Sequence, residues 1–196
     1  MARAEDPSGR DRILAAAAGL FYVRGVRAVG LAELLAAAGC GKNMLYRHFS
    51  GKAALVAAYL ELARAERDKS TADALAGATR PAGSANADEA AGQLVALVAE
   101  VAAWVRRRGY RGCAFRNYLT EFPSGDDEPA LVARAYLRDT RGQVDGLVRE
   151  LGAPAVTADR VWLLIDALYA NTGGDPAVAV EWARELVTSA RSAAWG

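Results

Sequence analysis

From Leu31 to Phe49 the apolar positions follow a helical period twice over. Leu31, Leu34, Leu35 and Ala38 gather on one face of a short helix. Gly39 follows, where helices commonly end in a left-handed residue that only glycine adopts cheaply. Gly41 keeps the turn short, and a second helix is expected from about Lys42 to His48. Its Leu45 and Phe49 point inward, and Lys42, Asn43, Tyr46, Arg47 and His48 form a polar, donor-rich face. Upstream, Ile13, Leu14, Ala17, Leu20 and Phe21 form one stripe that Gly25 closes and Ser8 can cap. Downstream, Leu55, Val56, Tyr59 and Leu62 line a long helix expected from Lys52 to about Leu75, with Ser50 as its cap. Its far half, Arg64 to Lys69, reads as charged and solvent-facing.

The remainder keeps the helical pattern. Residues 79–87 are rich in Pro, Gly and Ser and read as a loop. Asp88 can cap a fifth helix running to about Arg108, with Leu94, Leu97, Val98, Val101, Trp104 and Val105 inside and Gly109 as its stop. The Arg106–Arg108 run suits the negative end of that helix. Pro129 fits the first turn of a seventh helix, with Leu131, Leu137, Val144, Leu147, Val148 and Leu151 inside. Gly152-Ala153-Pro154 breaks it, Thr157 caps an eighth helix through Asn171, and Asp175-Pro176 starts a ninth reaching about Ser192. Abundant Ala and scarce β-branched runs make the expected fold all-α. It divides into an N-terminal three-helix domain over residues 1–51 and a helical domain over 52–196.

Net charge is only +1, so a general affinity for polyanions is not implied. The distribution says more. Residues 1–80 carry 12 Lys/Arg and 8 Asp/Glu, whereas residues 81–196 carry 12 and 15. Positive charge is thus concentrated around the two short helices, as a surface facing nucleic acid requires. The first eight residues read as a mobile polar arm containing Arg3. Two cysteines, Cys40 and Cys113, do not make a disulfide framework, and both read as packing residues. With no apolar run long enough for a bilayer and no signal peptide at the start, a soluble cytoplasmic protein is expected.

The paired short helices with their glycine turn are a helix-turn-helix signature. The stretch resembles the DNA-binding region of the TetR/AcrR family of bacterial regulators. The resemblance rests on Ala38-Gly39, Gly41-Lys42, Leu45-Tyr46-Arg47-His48-Phe49 and Lys52 at the family's spacing, with Leu20-Phe21 and Gly25 upstream. The family-like region runs from about Arg10 to Tyr59. Gly30 and Gly41 stand where hydroxyl residues are usual, Val29 replaces a common Thr, and Leu35 replaces a small Ala. A Gly112-Cys113-x-Phe115-x-Asn117 pattern ending in Glu121-Phe122-Pro123 resembles one branch of the family's C-terminal domains.

Chemistry sorts the candidate DNA-binding residues Gly41, Lys42, Asn43, Tyr46, Arg47, His48 and Lys52. Asn43 can pair with adenine, and Arg47 can fork onto guanine O6 and N7. Lys42 suits a phosphate or a guanine edge. Lys52 opens the fourth helix, where its charge suits a phosphate. The resemblance implies phosphate roles for Tyr46 and His48. It also implies a C-terminal half that binds a small effector and forms a homodimer, with the fourth helix as the lever between effector and operator DNA. Trp104, Phe115, Asn117, Tyr118, Tyr136, Trp162 and Asp166 are the ligand candidates, since an aromatic pocket with a few polar groups suits a partly apolar molecule. Each could equally be a core residue. Asp166 stands out as a carboxylate in an otherwise apolar helix, where it needs a partner. Helices eight and nine are apolar around much of their girth, which asks for cover on two sides. Leu164, Leu168, Val178, Trp182 and Leu186 are the expected dimer contacts.

The expected function is a repressor that binds double-stranded operator DNA as a homodimer and is released by a small molecule. The alternative is a ligand-independent regulator or activator of the same fold. An enzyme is not expected. The phosphate-loop pattern fails because Ala36 and Tyr46 stand where its first glycine belongs, no nucleophile–base set is present, and the single histidine has no clustered metal ligands. No cofactor and no membrane partner are expected.

Overall fold

Nine α-helices and no strand are found among the described residues of the computed structural model, which are 7–78, 86–170 and 173–194. Side chains are described over 9–78, 86–170 and 173–190. The expected arm, with Arg3, lies outside the described residues, as do most of the expected loop at 79–87 and the side chain of Ser8. The helices are α1 (Pro7–Arg24), α2 (Leu31–Ala38), α3 (Lys42–His48), α4 (Lys52–Ala78), α5 (Asn86–Val105), α6 (Ala114–Glu121), α7 (Glu128–Glu150), α8 (Val156–Ala170) and α9 (Pro176–Ala194).

They fold into two compact units that do not follow a cut at residue 51. One joins the chain up to Ala65 with Cys113–Tyr136, and the other joins Glu66–Gly112 with Leu137 onward. The continuous helices α4 and α7 therefore each contribute to both units.

In the first unit the stripe on α1 packs against α2 and α3. Ile13, Ala17, Phe21, Val29, Leu34, Leu45, Phe49, Leu55 and Leu60 are all buried there. Burying a side chain of Leu or Phe size contributes about 1.5–3 kcal/mol. Leu62 is the exception on α4, at 49% exposed, and Leu131 on α7 is 58% exposed rather than inside. Both were expected in the core from helical period alone, and both are exposed.

The second unit is built on α5, which packs against both α8 and α9. Leu94, Leu97, Val98, Val101, Val144, Leu147, Val148, Val161, Ile165, Leu168 and Val187 share one core. The far half of α4 is not wholly solvent-facing. Arg67 is only 6% exposed and forms a bidentate pair with Glu100 of α5, at 2.6 and 2.5 Å. Ser70 donates to the same carboxylate at 2.7 Å, Arg67 reaches the Tyr169 hydroxyl at 3.2 Å, and its guanidinium lies 4.1 Å from the centre of the Trp104 ring.

Several helix starts differ from expectation by one to three residues. Asp88 and Thr157 lie inside the first turns of α5 and α8 rather than ahead of them, and the Gly51 carbonyl, one residue past Ser50, accepts the first bond of α4. At the other end of α5, Arg106–Arg108 lie beyond the last helical residue, and Gly109 turns the chain at a φ of 81°. Asp175 caps α9 as expected, accepting the Ala177 amide at 3.0 Å.

Candidate nucleic-acid interface

The turn between α2 and α3 is closed by backbone alone. Gly39 is left-handed (φ 59°, ψ 41°), its amide meets the Ala36 carbonyl at 3.2 Å, and the Cys40 amide meets the Leu35 carbonyl at 3.1 Å. This double closure satisfies carbonyls that the end of α2 would otherwise leave bare. Gly41 is extended and leads into α3, its carbonyl accepting the Met44 and Leu45 amides at 3.0 and 3.3 Å. Neither Gly30 nor Gly41 supplies a side-chain cap.

Leu45, 1% exposed, and Phe49, 5% exposed, root α3 in the core. Phe49 ends the helix in an extended conformation. Arg12 of α1 donates to the Met44 sulfur at 3.4 Å, and Arg10 lies over the Phe49 ring at 5.3 Å. On the opposite side Lys42, Asn43, Tyr46 and Arg47 are exposed, with Tyr46 at 54%. Gly41 is exposed beside them. His48 is half-buried, and its Nε2 is enclosed without a hydrogen-bond partner among the described residues.

Lys52 does something the sequence did not suggest. Its ammonium donates to the carbonyls of Val26 and Val29, both at 2.6 Å. Two of its three N–H groups therefore brace the turn between α1 and α2, and at most one is left for a phosphate. That turn is also held from the other end of its peptide groups. Glu121, the last residue of α6, accepts the Val26 amide at 3.1 Å and the Arg27 amide at 2.6 Å. Sequence reasoning quoted Glu121 as part of a pattern but gave it no role. Its partner amides lie about ninety residues away, beyond the reach of local period or spacing.

The seven ligand candidates fall into two groups. Phe115, Asn117, Tyr118 and Tyr136 belong to the first unit, and Trp104, Trp162 and Asp166 belong to the second. Phe115 and Tyr136 are buried and stacked on each other, with ring centres 3.8 Å apart. The Tyr118 hydroxyl donates to Asp127, whose two oxygens lie at 3.0 and 2.9 Å. Burial, and after it this bond, raise the phenol above its ordinary pKa. Asp127 also caps α7 through the Ala130 amide at 3.1 Å. Trp104 carries the guanidinium groups of Arg67 and Arg107, at 4.1 and 3.8 Å from its ring centre. Trp162 is half-buried with Arg141 6.0 Å from its ring centre, and Asp166 is half-buried and engaged. An open groove of about 490 Å³ in the first unit is lined by Arg10, Leu14, His48, Phe49, Glu61 and Val132, among others. None of the seven candidates lines it.

The expected dimer residues divide as well. Leu164 and Leu168 are buried in the core of the second unit, and Leu186 packs against it. Val178 and Trp182 are exposed, and so is Leu163, the most exposed large apolar residue described, at 65%. No helix among the described residues is long and apolar enough to cross a membrane, and no three His, Cys, Asp or Glu side chains converge as metal ligands there.

Residues 13–59 match the family model described as bacterial regulatory proteins, tetR family. No curated protein matches the sequence. Among solved structures, the chain is similar to a TetR-family transcriptional regulator from Streptomyces coelicolor, with 28% identity and a TM-score of 0.79 over 95% of this chain and 90% of that one. It is also similar in fold to a TetR transcriptional regulator from Chloroflexus aurantiacus, with 21% identity and a TM-score of 0.69 over 92% of each chain. A third likeness in fold is to a TetR-family transcriptional regulator from Cytophaga hutchinsonii, with 14% identity and a TM-score of 0.70 over 97% of this chain and 98% of that one. The glycine-closed helix-turn-helix lies inside the segment that matches the tetR family model, residues 13–59, and the all-helical fold around it is similar to that of TetR-family transcriptional regulators.

Proposed function

We propose that the protein is a repressor that binds operator DNA as a homodimer through α3 and is released by a small molecule. The observation that carries the DNA contact is the two-sided character of α3: Leu45 is buried while Lys42, Asn43, Tyr46 and Arg47 stand free on the other side. A helix of this size fits the major groove, and a bidentate Arg47–guanine contact would give about 1–3 kcal/mol of base discrimination. Gly41 at the start of α3, with Tyr46, His48 and the remaining N–H of Lys52, would hold the backbone phosphates. Pairing of two copies is supported by the exposed Leu163, Val178 and Trp182 on α8 and α9, two helices that pack on each other. In this reading the DNA contacts lie in residues 1–51 together with Lys52 at the start of α4, and the helical remainder carries the effector and dimer contacts.

Ligand release would act by population shift, the effector favouring a spacing of the two DNA-binding units that no longer fits successive grooves. One observation favours the second reading, a ligand-independent regulator. Phe115, Tyr136, Tyr118 and Trp104 already pack on or bond to side chains of their own unit.

Fluorescence anisotropy against duplex DNA over a salt series tests the DNA contact. The logarithm of the association constant should fall linearly with the logarithm of salt concentration. Lys42→Ala should flatten that slope by about one unit if Lys42 neutralises one phosphate. An unchanged slope and affinity would remove Lys42 from the interface.

A further inference from the structure

We propose that Glu121 is a positioning residue for DNA binding. It clamps the turn between α1 and α2 against Lys52 and so fixes how α2 and α3 are presented. The inference rests on the reading that α3 binds DNA.

The turn from Gly25 to Gly30 is short, and its peptide groups could adopt several arrangements. They are instead gripped by two opposite charges. The Glu121 carboxylate takes the N–H groups of Val26 and Arg27, and the Lys52 ammonium takes the C=O groups of Val26 and Val29. Val26 is thus held on both sides of its residue, with the anion on its donor and the cation on its acceptor. Hydrogen bonds with one charged partner are the strong class. Arg27 returns the contact, donating to the Glu121 carbonyl and placing its guanidinium 4.9 Å from the centre of the Phe122 ring.

Gly25 records the same fit. Its φ of 83° disfavours any side chain, and a Cβ there would lie 2.8 Å from Glu121 Oε1. The backbone conformation asks for glycine, and a Cβ would also push the carboxylate from its place. The clamp is one of the contacts by which residues 113–136 join the first unit although they lie far along the chain. Lys52 opens α4 immediately after the recognition segment, and Glu121 ends α6. The turn from which α2 and α3 emerge is therefore fixed by residues outside them.

Glu121 touches no base or phosphate in this scheme, so its loss should lower affinity without changing the ionic character of binding. The test uses the full chain and a duplex selected by the parent protein from random DNA. Glu121→Gln keeps the side-chain size but can offer only one good acceptor oxygen, and Glu121→Asp keeps the charge on a shorter arm. Each variant is measured for thermal unfolding, hydrogen exchange at the Val26 and Arg27 amides, DNA affinity and the salt slope of binding. We expect faster exchange at those two amides and roughly tenfold weaker binding for Glu121→Gln, with the salt slope and base preference of the parent. Glu121→Asp should lie between. Should Glu121→Gln fail to fold, Glu121→Asp alone decides by the same readings. A variant that binds within twofold of the parent, or leaves both amides as protected, overturns the inference alone. A parent that selects no duplex overturns the DNA-binding reading and this inference with it.

Discussion

At the scale of single residues, side chains differ by which charge or ring each one meets. Arg67 and Glu100 are the sharpest case. Both side chains are about 7% exposed, and they face each other in two hydrogen bonds inside the second unit. Burying such a pair is costly, but removing one partner is worse, because the other stays charged and dry. Glu100→Ala should destabilise the protein by about 3–5 kcal/mol. The double replacement Arg67→Leu with Glu100→Leu should recover most of that loss. Denaturant midpoints of the parent and both variants decide it, and a double variant no more stable than Glu100→Ala would contradict the pairing. The sequence did not disclose this pair. Arg67 sits in a run of charged residues that reads as a solvated face, and its partner lies 33 residues away on another helix. Ionic partners across helices leave no periodic trace. The bracing role of Lys52 was hidden for a related reason: nothing local reveals that the Val26 and Val29 carbonyls lie within its reach.

At the scale of elements, the ends of helices decide more than their middles. Asp175 holds the start of α9, accepting the Ala177 amide and pairing with Arg106. The amide first, and the guanidinium after it, keep its carboxyl below the ordinary range. A folded pKa below the unfolded one means the unfolded chain takes up the proton first as the solution is acidified. The stabilisation is therefore fully present above the ordinary aspartate value of about 4 and is lost as pH falls from there through the depressed folded value. Asp175→Asn keeps a good capping side chain without the charge. Between pH ~6 and ~3 its thermal midpoint should fall less than that of the parent; equal falls would contradict the assignment. Element boundaries were legible where backbone chemistry is local. α2 ends where Gly39 predicts, because a left-handed closure needs glycine whatever surrounds it, and α3 begins directly after the extended Gly41. Boundaries resting on side-chain caps were less legible. Thr157 is 3% exposed inside α8, so tertiary packing and not capping explains its place.

At the scale of the whole molecule, the all-helical architecture followed from period and composition, and the recognition segment from spacing. The extent of the first unit did not, since Cys113–Tyr136 join it through contacts such as Glu121 on Val26 and Arg27 that no window of sequence spans. On α8 the exposed leucine is Leu163, while its neighbour Leu164 is buried. On a helix wet on one side and buried on the other, neighbouring leucines differ by about 100° of rotation, and period alone does not say which faces the core. If two copies pair through Leu163, Val178 and Trp182, their recognition helices are related by a two-fold axis, and the site they read must be a near-palindrome. Selection of duplexes from random DNA, run in parallel with the parent and with Arg47→Ala, tests this most directly. The account predicts that the parent enriches near-palindromes with half-sites about one DNA turn or more apart, and that Arg47→Ala loses preference at one symmetric pair of positions. Enrichment of no sequence, or of the same sequence by both proteins, would contradict it.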